Sequence, residues 1–230
     1  MKQHLYILTG ASRGMGLAMA KQLLQPGHTL LCISRHSQPE LNDLVDKVDD
    51  ATLAQWSLDL VDGAAAGAQL SRWMSLFLGD EFDSATLINN AALLPRISAL
   101  ADASSTDIAN VLRVGLEAPM QLTAAFLRAT ANWSGARRVL NISSGNGRRA
   151  MASQSIYSAV KAGMDHYTRC VALEEAARTN GAKVCSLAPG IIDTDMQTHI
   201  RATNPADFPS HATFVEYKNN GDLLTPDAGA

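Results

Sequence analysis

Long apolar runs, paired cysteines and clustered charge are what this sequence has least of. The opening Met1–His4 leads into an apolar stretch of only four residues, Leu5–Leu8, far too short for a signal peptide or a membrane span. A cytoplasmic protein with no membrane partner is therefore expected. Cysteine occurs three times, at Cys32, Cys170 and Cys185. The wide spacing offers no zinc site, and all three read as buried, reduced thiols. Charged residues make up only 18% of the chain, and the formal net charge is -3. Basic residues are scattered, with pairs such as Arg137–Arg138 and Arg148–Arg149 only, so a nucleic-acid partner is not indicated. No repeat, low-complexity tract or Pro/Ser-rich linker divides the 230 residues. One domain spanning 1–230 is the economical reading.

What is abundant is apolar material, 47% of residues, which is enough for a sizeable core. It is arranged as short runs alternating with longer helical patterns. Strands are expected at Leu5–Thr9, Thr29–Ser34, Leu53–Ser57, Thr86–Asn89, Val139–Ser143 and Lys183–Ala188. Helices are expected at Gly14–Leu24, Ala64–Leu78, Thr106–Ala131 and Tyr157–Thr179. Strands joined by helices of this length imply an α/β fold: a doubly wound, Rossmann-type parallel sheet with helices on both faces. Ligands in such folds bind beyond the carboxyl ends of the strands, so those ends deserve the closest reading.

The first of them carries a glycine-rich turn, Thr9–Gly16, opening a helix. Gly10 allows the sharp turn, while Gly14 and Gly16 let backbone and helix dipole approach a pyrophosphate. Ser12, Arg13 and Met15 complete this candidate loop. The spacing is G-x-x-x-G-x-G, distinct from the G-x-G-x-x-G dinucleotide fingerprint. At the end of strand two, an acid would bind the ribose hydroxyls of NAD. Here stand Ser34 and Arg35 with no acid, and Arg13 can converge on the same spot. Two guanidinium groups suit a phosphate, which makes NADP(H) the expected cofactor. Asp59 and Leu60, ending strand three, are placed to contact the adenine, although Asp59 could equally cap the next helix.

Tyr157 and Lys161 lie four apart at the start of a helix and so project from one face. A phenol with a pKa of about 10 is a poor proton carrier near neutrality. A neighbouring ammonium, with the positive ring of an oxidised nicotinamide, is expected to bring it towards working pH. Ser144, thirteen residues earlier at a strand end, can hold a substrate oxygen beside the tyrosine.

Together these residues resemble the short-chain dehydrogenase/reductase family. The matching features are Thr9–Gly16, Asn89–Ala91, Asn141–Ser144, Tyr157–Lys161 and Pro189–Thr194. The resemblance implies that Tyr157 is the general acid, Ser144 positions the carbonyl and Lys161 also binds the nicotinamide ribose. It implies that Asn90 and Ala91 line the adenosine-ribose path. Past the Pro189-Gly190 turn, Ile192 and Thr194 would hold the carboxamide and pyrophosphate side. The segments Gly115–Met120 and Phe214–Pro226 further resemble the sepiapterin/benzil reductase branch. The implied activity is NADPH-dependent reduction of a small carbonyl substrate by a homo-oligomer. A non-catalytic NADP-binding sensor of the same fold is the alternative, and intact Tyr157, Lys161 and Ser144 argue against it.

The chain departs from the family's pattern in three places. Ala92 replaces a glycine. Gly115 stands where an asparagine is normal, and Asn110, five residues earlier, is expected on a different helical face. A water filling the missing amide's place would leave the enzyme active, so Gly115→Asn is expected to preserve or raise activity. The ending Leu223–Ala230 reads as a helix start, with Thr225 as N-cap and Pro226 in the first turn, so the family's final helix and strand are expected to be missing. Association between copies would then be weakened or routed through the long helices Thr106–Ala131 and Tyr157–Thr179. Met151, Met196 and Phe214 point to an apolar or aromatic ketone or diketone, without naming it.

Overall fold

Leu5, Ile7 and Leu8 have no exposed surface, as a strand covered on both faces requires. The computed structural model describes residues 3–230, and this strand, β1 (His4–Thr9), lies inside a six-stranded parallel sheet. Its companions are β2 (His28–Ser34), β3 (Thr52–Ser57), β4 (Ser84–Asn89), β5 (Ala136–Ile142) and β6 (Lys183–Leu187). The order is β3-β2-β1-β4-β5-β6, with every pairing parallel. The strand order reverses between β1 and β4, which is where such folds open a ligand crevice.

Alternation along the strands feeds two cores. Leu5, Ile7, Leu31, Ile33 and Leu87 pack with Leu70 of α3 (Gly63–Met74) and Phe126 of α5 (Ala118–Ala129). Leu8, Leu30, Cys32 and Ile88 face the other way, onto Met15 and Met19 of α1 (Gly14–Leu23) and Leu41 of α2 (Pro39–Val45). The helices on both faces thus follow from which residues of each strand are apolar. Asp62 begins α3 by accepting from Ala65 N–H at 2.9 Å, and Ser104 begins α4 (Ser105–Leu112) by accepting from Asp107 N–H at 3.0 Å.

The expected helix Thr106–Ala131 is two helices, α4 and α5, joined by a wide turn over Arg113–Glu117 in which Ala118 N–H bonds to the Arg113 carbonyl, five residues back. Pro119 supplies the reason. It has no N–H to return to Gly115, and its ring would crowd that carbonyl in a regular helix. Three further helices had too little periodicity to expect: α2, α7 (Asp195–Arg201) and α8 (His211–Asn219). Between β5 and β6 runs α6 (Ser155–Ala176), the longest helix. Thr225 caps the short α9 (Pro226–Gly229) by accepting from Ala228 N–H.

Among the described residues nothing after Leu187 adds a seventh strand, so β6 is a sheet edge. That edge corrects the reading of the cysteines: Cys32 is buried, but Cys185 on β6 and Cys170 on α6 are exposed. No helix among the described residues is long and apolar enough to cross a membrane.

Candidate active site

A cleft of about 1640 Å³ opens beyond the carboxyl ends of the strands. It brings together all the candidate residues from the glycine loop (Gly10, Ser12, Arg13, Gly14, Met15, Gly16), from β2 (Ser34, Arg35) and from beyond β3 (Asp59, Leu60). Asn90 and Ala91 follow from β4, Ser144 from β5, and Pro189, Gly190, Ile192 and Thr194 from the segment after β6. Tyr157 and Lys161 enter from α6.

The loop's shape is dictated by close approach. Gly10 and Gly14 have φ of 72° and 54°, where L side chains are strained. A β-carbon on Gly10 would lie 2.8 Å from Ala91 Cα, and one on Gly16 would collide with the Gly10 carbonyl. The Asn90 amide donates to the Thr9 and Gly10 carbonyls at 3.0 and 3.2 Å. Asn90 therefore braces the loop as well as lining the cleft. Thr9 Oγ1 in turn accepts from the Asn90 and Ala91 N–H groups. Ala92 shows no positive φ, so the usual glycine is not needed there.

This chain's donors fit a dinucleotide. The first turn of α1 carries no acid and no side-chain cap, leaving its N–H groups for an anion. Arg35 is exposed at the cleft, and no described residue pairs with it. Arg13 contacts Asp195 at 3.1 Å, but both side chains are more than two-thirds exposed, so the pair is weakly held. Asp59 accepts from Val61 N–H, whereas the cap of α3 is Asp62.

Around the chemistry, Lys161 is buried, with Nζ donating to the Ile142 carbonyl at 2.6 Å and 5.6 Å from the Tyr157 ring centre. Burial lowers its pKa to about 8, although the Asp165 charge works the other way. Burial also raises the Tyr157 pKa, and the hydrogen bond with Ser144 only partly offsets this. Within the protein itself burial therefore sets the direction, and the expected lowering depends on the positive nicotinamide ring as well as on Lys161. Behind the site, Asn89 Nδ2 donates to Asn141 Oδ1, and Asn141 Nδ2 to Thr168 Oγ1, each at 2.8 Å. These buried amides tie β4, β5 and α6 into fixed positions.

Asn110 lines the cleft together with Val114, on a face other than that of Gly115, as expected. Gly115 instead points at α6, where a β-carbon would lie 2.5 Å from Val160 Cγ1. A side chain there requires Val160 to shift, so packing opposes the expectation that an asparagine is tolerated. Gln154 and Asp195 also line the cleft and were missed, because neither belongs to a recognisable spacing. Met151, Met196 and Phe214 line it too, in one apolar cluster with Ile200 and Phe208.

Residues 4–205 match the family model described as short chain dehydrogenase. The chain is 36% identical over 221 residues to a benzil reductase ((S)-benzoin forming) of Bacillus cereus, covering 96% of this chain and 88% of that protein. It is 33% identical over 230 residues to sepiapterin reductase of Mus musculus, covering 95% and 85%. A crystal structure from Agrobacterium tumefaciens, assigned as a 2-deoxy-d-gluconate 3-dehydrogenase with bound NADP, superposes with a TM-score of 0.79 at 27% identity, covering 100% of this chain and 87% of that one.

Proposed function

Since the chain belongs to the short-chain dehydrogenase/reductase family, we propose that it is an NADPH-dependent reductase converting a small apolar or aromatic ketone or diketone to an alcohol. The observation that carries this reading is the meeting of Ser144, Tyr157 and Lys161 in the cleft that also holds the glycine loop. The reduced nicotinamide, when bound, supplies a hydride to the carbonyl carbon. The chain's own residues do the rest. Ser144 hydrogen-bonds the carbonyl oxygen and holds it beside Tyr157. A phenol kept protonated by burial is a suitable acid for that oxygen as negative charge develops on it. Lys161, still largely an ammonium at neutral pH, stabilises the tyrosinate left behind.

NADPH is favoured over NADH by Arg13 and Arg35 and by the lack of an acid at the end of β2. The apolar cluster around Met151, Met196 and Phe214 supports a hydrophobic substrate, in keeping with the benzil reductase relative. We expect a cytoplasmic homo-oligomer, paired through α4–α5 and α6, where Leu112, Met120 and Leu173 are exposed. The test is a panel of mono- and diketones in which NADPH oxidation is followed optically. A protein that only senses NADPH would bind it and leave it unoxidised with every carbonyl offered.

A further inference from the structure

Gln38 stands at the N-cap of α2, where a side chain ordinarily bonds to its own helix, yet it makes no such bond. Its amide Nε2 instead donates to the Ser12 carbonyl of the glycine loop at 2.6 Å, across 26 residues of sequence. The base of this arm is itself fixed. Gln38 N–H donates to Gln55 Oε1 at 2.8 Å, and Gln55 Nε2 donates back to the Gln38 carbonyl at 3.0 Å and to Asn42 Oδ1 at 2.8 Å. Gln55 lies on β3, paired with Cys32 of β2, so the arm is rooted in the sheet. The glycine loop is thus held at two separate points. Asn90 braces its first half, at Thr9 and Gly10, and Gln38 its second, at Ser12.

We propose that Gln38 is a positioning residue for cofactor choice: by fixing Ser12 against the β2–α2 turn it sets the spacing of Arg13 and Arg35, and so favours a cofactor bearing a 2′-phosphate. The inference rests on the reading that this cleft takes NADPH. Arg13 follows Ser12 directly, and Arg35 precedes Gln38 by three residues, so the bond joins the two stretches of chain that carry the guanidinium groups. Both arginines are exposed, and burial fixes neither. A phosphate gripped from two sides needs both at once, and any loose stretch of backbone would have to be ordered on binding. Holding the two in place beforehand removes that cost. A cofactor that ends in a 2′-hydroxyl makes no use of the pair. The pyrophosphate, common to both cofactors, is met by Gly14–Gly16 and the start of α1, to which Gln38 makes no hydrogen bond. The effect of Gln38 should therefore fall on the 2′-phosphate.

The variant to compare with the wild type is Gln38→Met, which keeps the length of the side chain and both main-chain bonds to Gln55 while removing the donor. Dissociation constants of NADPH and NADH are read from nicotinamide fluorescence in the absence of substrate, and that of adenosine 2′,5′-bisphosphate by calorimetry. The wild type is expected to bind NADPH at least about 10-fold more tightly than NADH. Gln38→Met should weaken NADPH and the bisphosphate by about 5-fold or more and change NADH by less than about 2-fold. An equal loss on NADPH and NADH would make Gln38 a support for the whole loop and overturn the proposal, as would an unchanged NADPH constant. Should Gln38→Met fail to fold, Gln55→Met loosens the base of the arm and should show the same selective loss. An unaltered ratio of the NADPH and NADH constants there rejects the inference. A wild type that binds the two cofactors alike fails the parent reading and this inference with it, whereas a selective wild type unaffected by Gln38→Met fails this inference only.

Discussion

Gly115 and Val160 touch where the widened turn between α4 and α5 crosses α6, with room for a hydrogen atom and no more. A β-carbon at Gly115 would come within 2.5 Å of Val160 Cγ1, and a β-branched valine in a helix has almost no alternative rotamer to retreat to. Val160 sits directly before Lys161 and three residues after Tyr157, so a shift there is expected to disturb the two groups proposed to carry the reaction.

Gly115→Asn should accordingly destabilise the protein by about 1–3 kcal/mol, the usual cost of overpacking, and lower turnover with it. Thermal unfolding and steady-state rates check this. Adding Val160→Ala should recover much of the lost stability, and an unchanged melting temperature in the single variant would show that the helices are free to part.

Tyr157→Phe removes the only acidic proton proposed to reach the substrate oxygen while keeping the ring in its buried place. Turnover should fall by at least about 100-fold, the scale of general acid catalysis, with NADPH binding little changed. Rates near those of the wild type would reassign the proton donor.

Cofactor choice should depend strongly on Arg35, which is exposed at the cleft and pairs with no described residue. Arg35→Ala is expected to cost NADPH about 10- to 100-fold in kcat/KM, with little effect on NADH, as for a lost charge-assisted hydrogen bond. Asp195→Asn should shift NADPH affinity by less than about 3-fold, since exposed pairs are weak. Equal efficiency of the wild type with the two cofactors would refute the assignment.

Much of this architecture was legible in the chain because the sheet is buried on both faces. Continuous apolar runs such as Leu5–Leu8 and Leu30–Ile33 leave few alternatives, and six of six strands appear within a few residues of where they were expected. The glycine loop and the Tyr157–Lys161 pair were readable because their spacing is fixed by backbone geometry. Partners set by tertiary contact were not. Asn90 reaches the glycine loop from 80 residues away, and Gln154 meets Asn146 only when the β5–α6 loop folds the two together. The break between α4 and α5 was missed because a helix with a regular repeat was assumed, when Pro119 enforces a wide turn. Cys185 was misjudged because its apolar run was read as core, although the missing last strand already implied that β6 would be an edge.

Asp165 is where the remaining electrostatic leverage lies. It follows Lys161 by one helical turn, is 4% exposed, and contacts Arg148 Nε at 3.3 Å. Burial pushes its carboxyl up, but the Ser143 and Ser186 hydroxyls and the Arg148 guanidinium together outweigh that and hold it below its ordinary value. It is therefore an anion at neutral pH, and its charge raises the Lys161 pKa that burial has depressed to about 8. Asp165→Asn keeps the shape and removes the charge, so Lys161 should lose its proton below pH 8 and turnover should begin to fall at lower pH than in the wild type. Titration of the lysine Nζ by nitrogen NMR in the cofactor-free protein reads the shift directly, and an unmoved midpoint would disprove the coupling. The stability consequence has its own sign. A carboxylate with a depressed folded pKa contributes stability that is present above its ordinary value near 3.8 and is lost as pH falls through the folded value. The destabilisation of Asp165→Asn relative to wild type should thus be full at pH 6–7 and shrink in acid, below about pH 4.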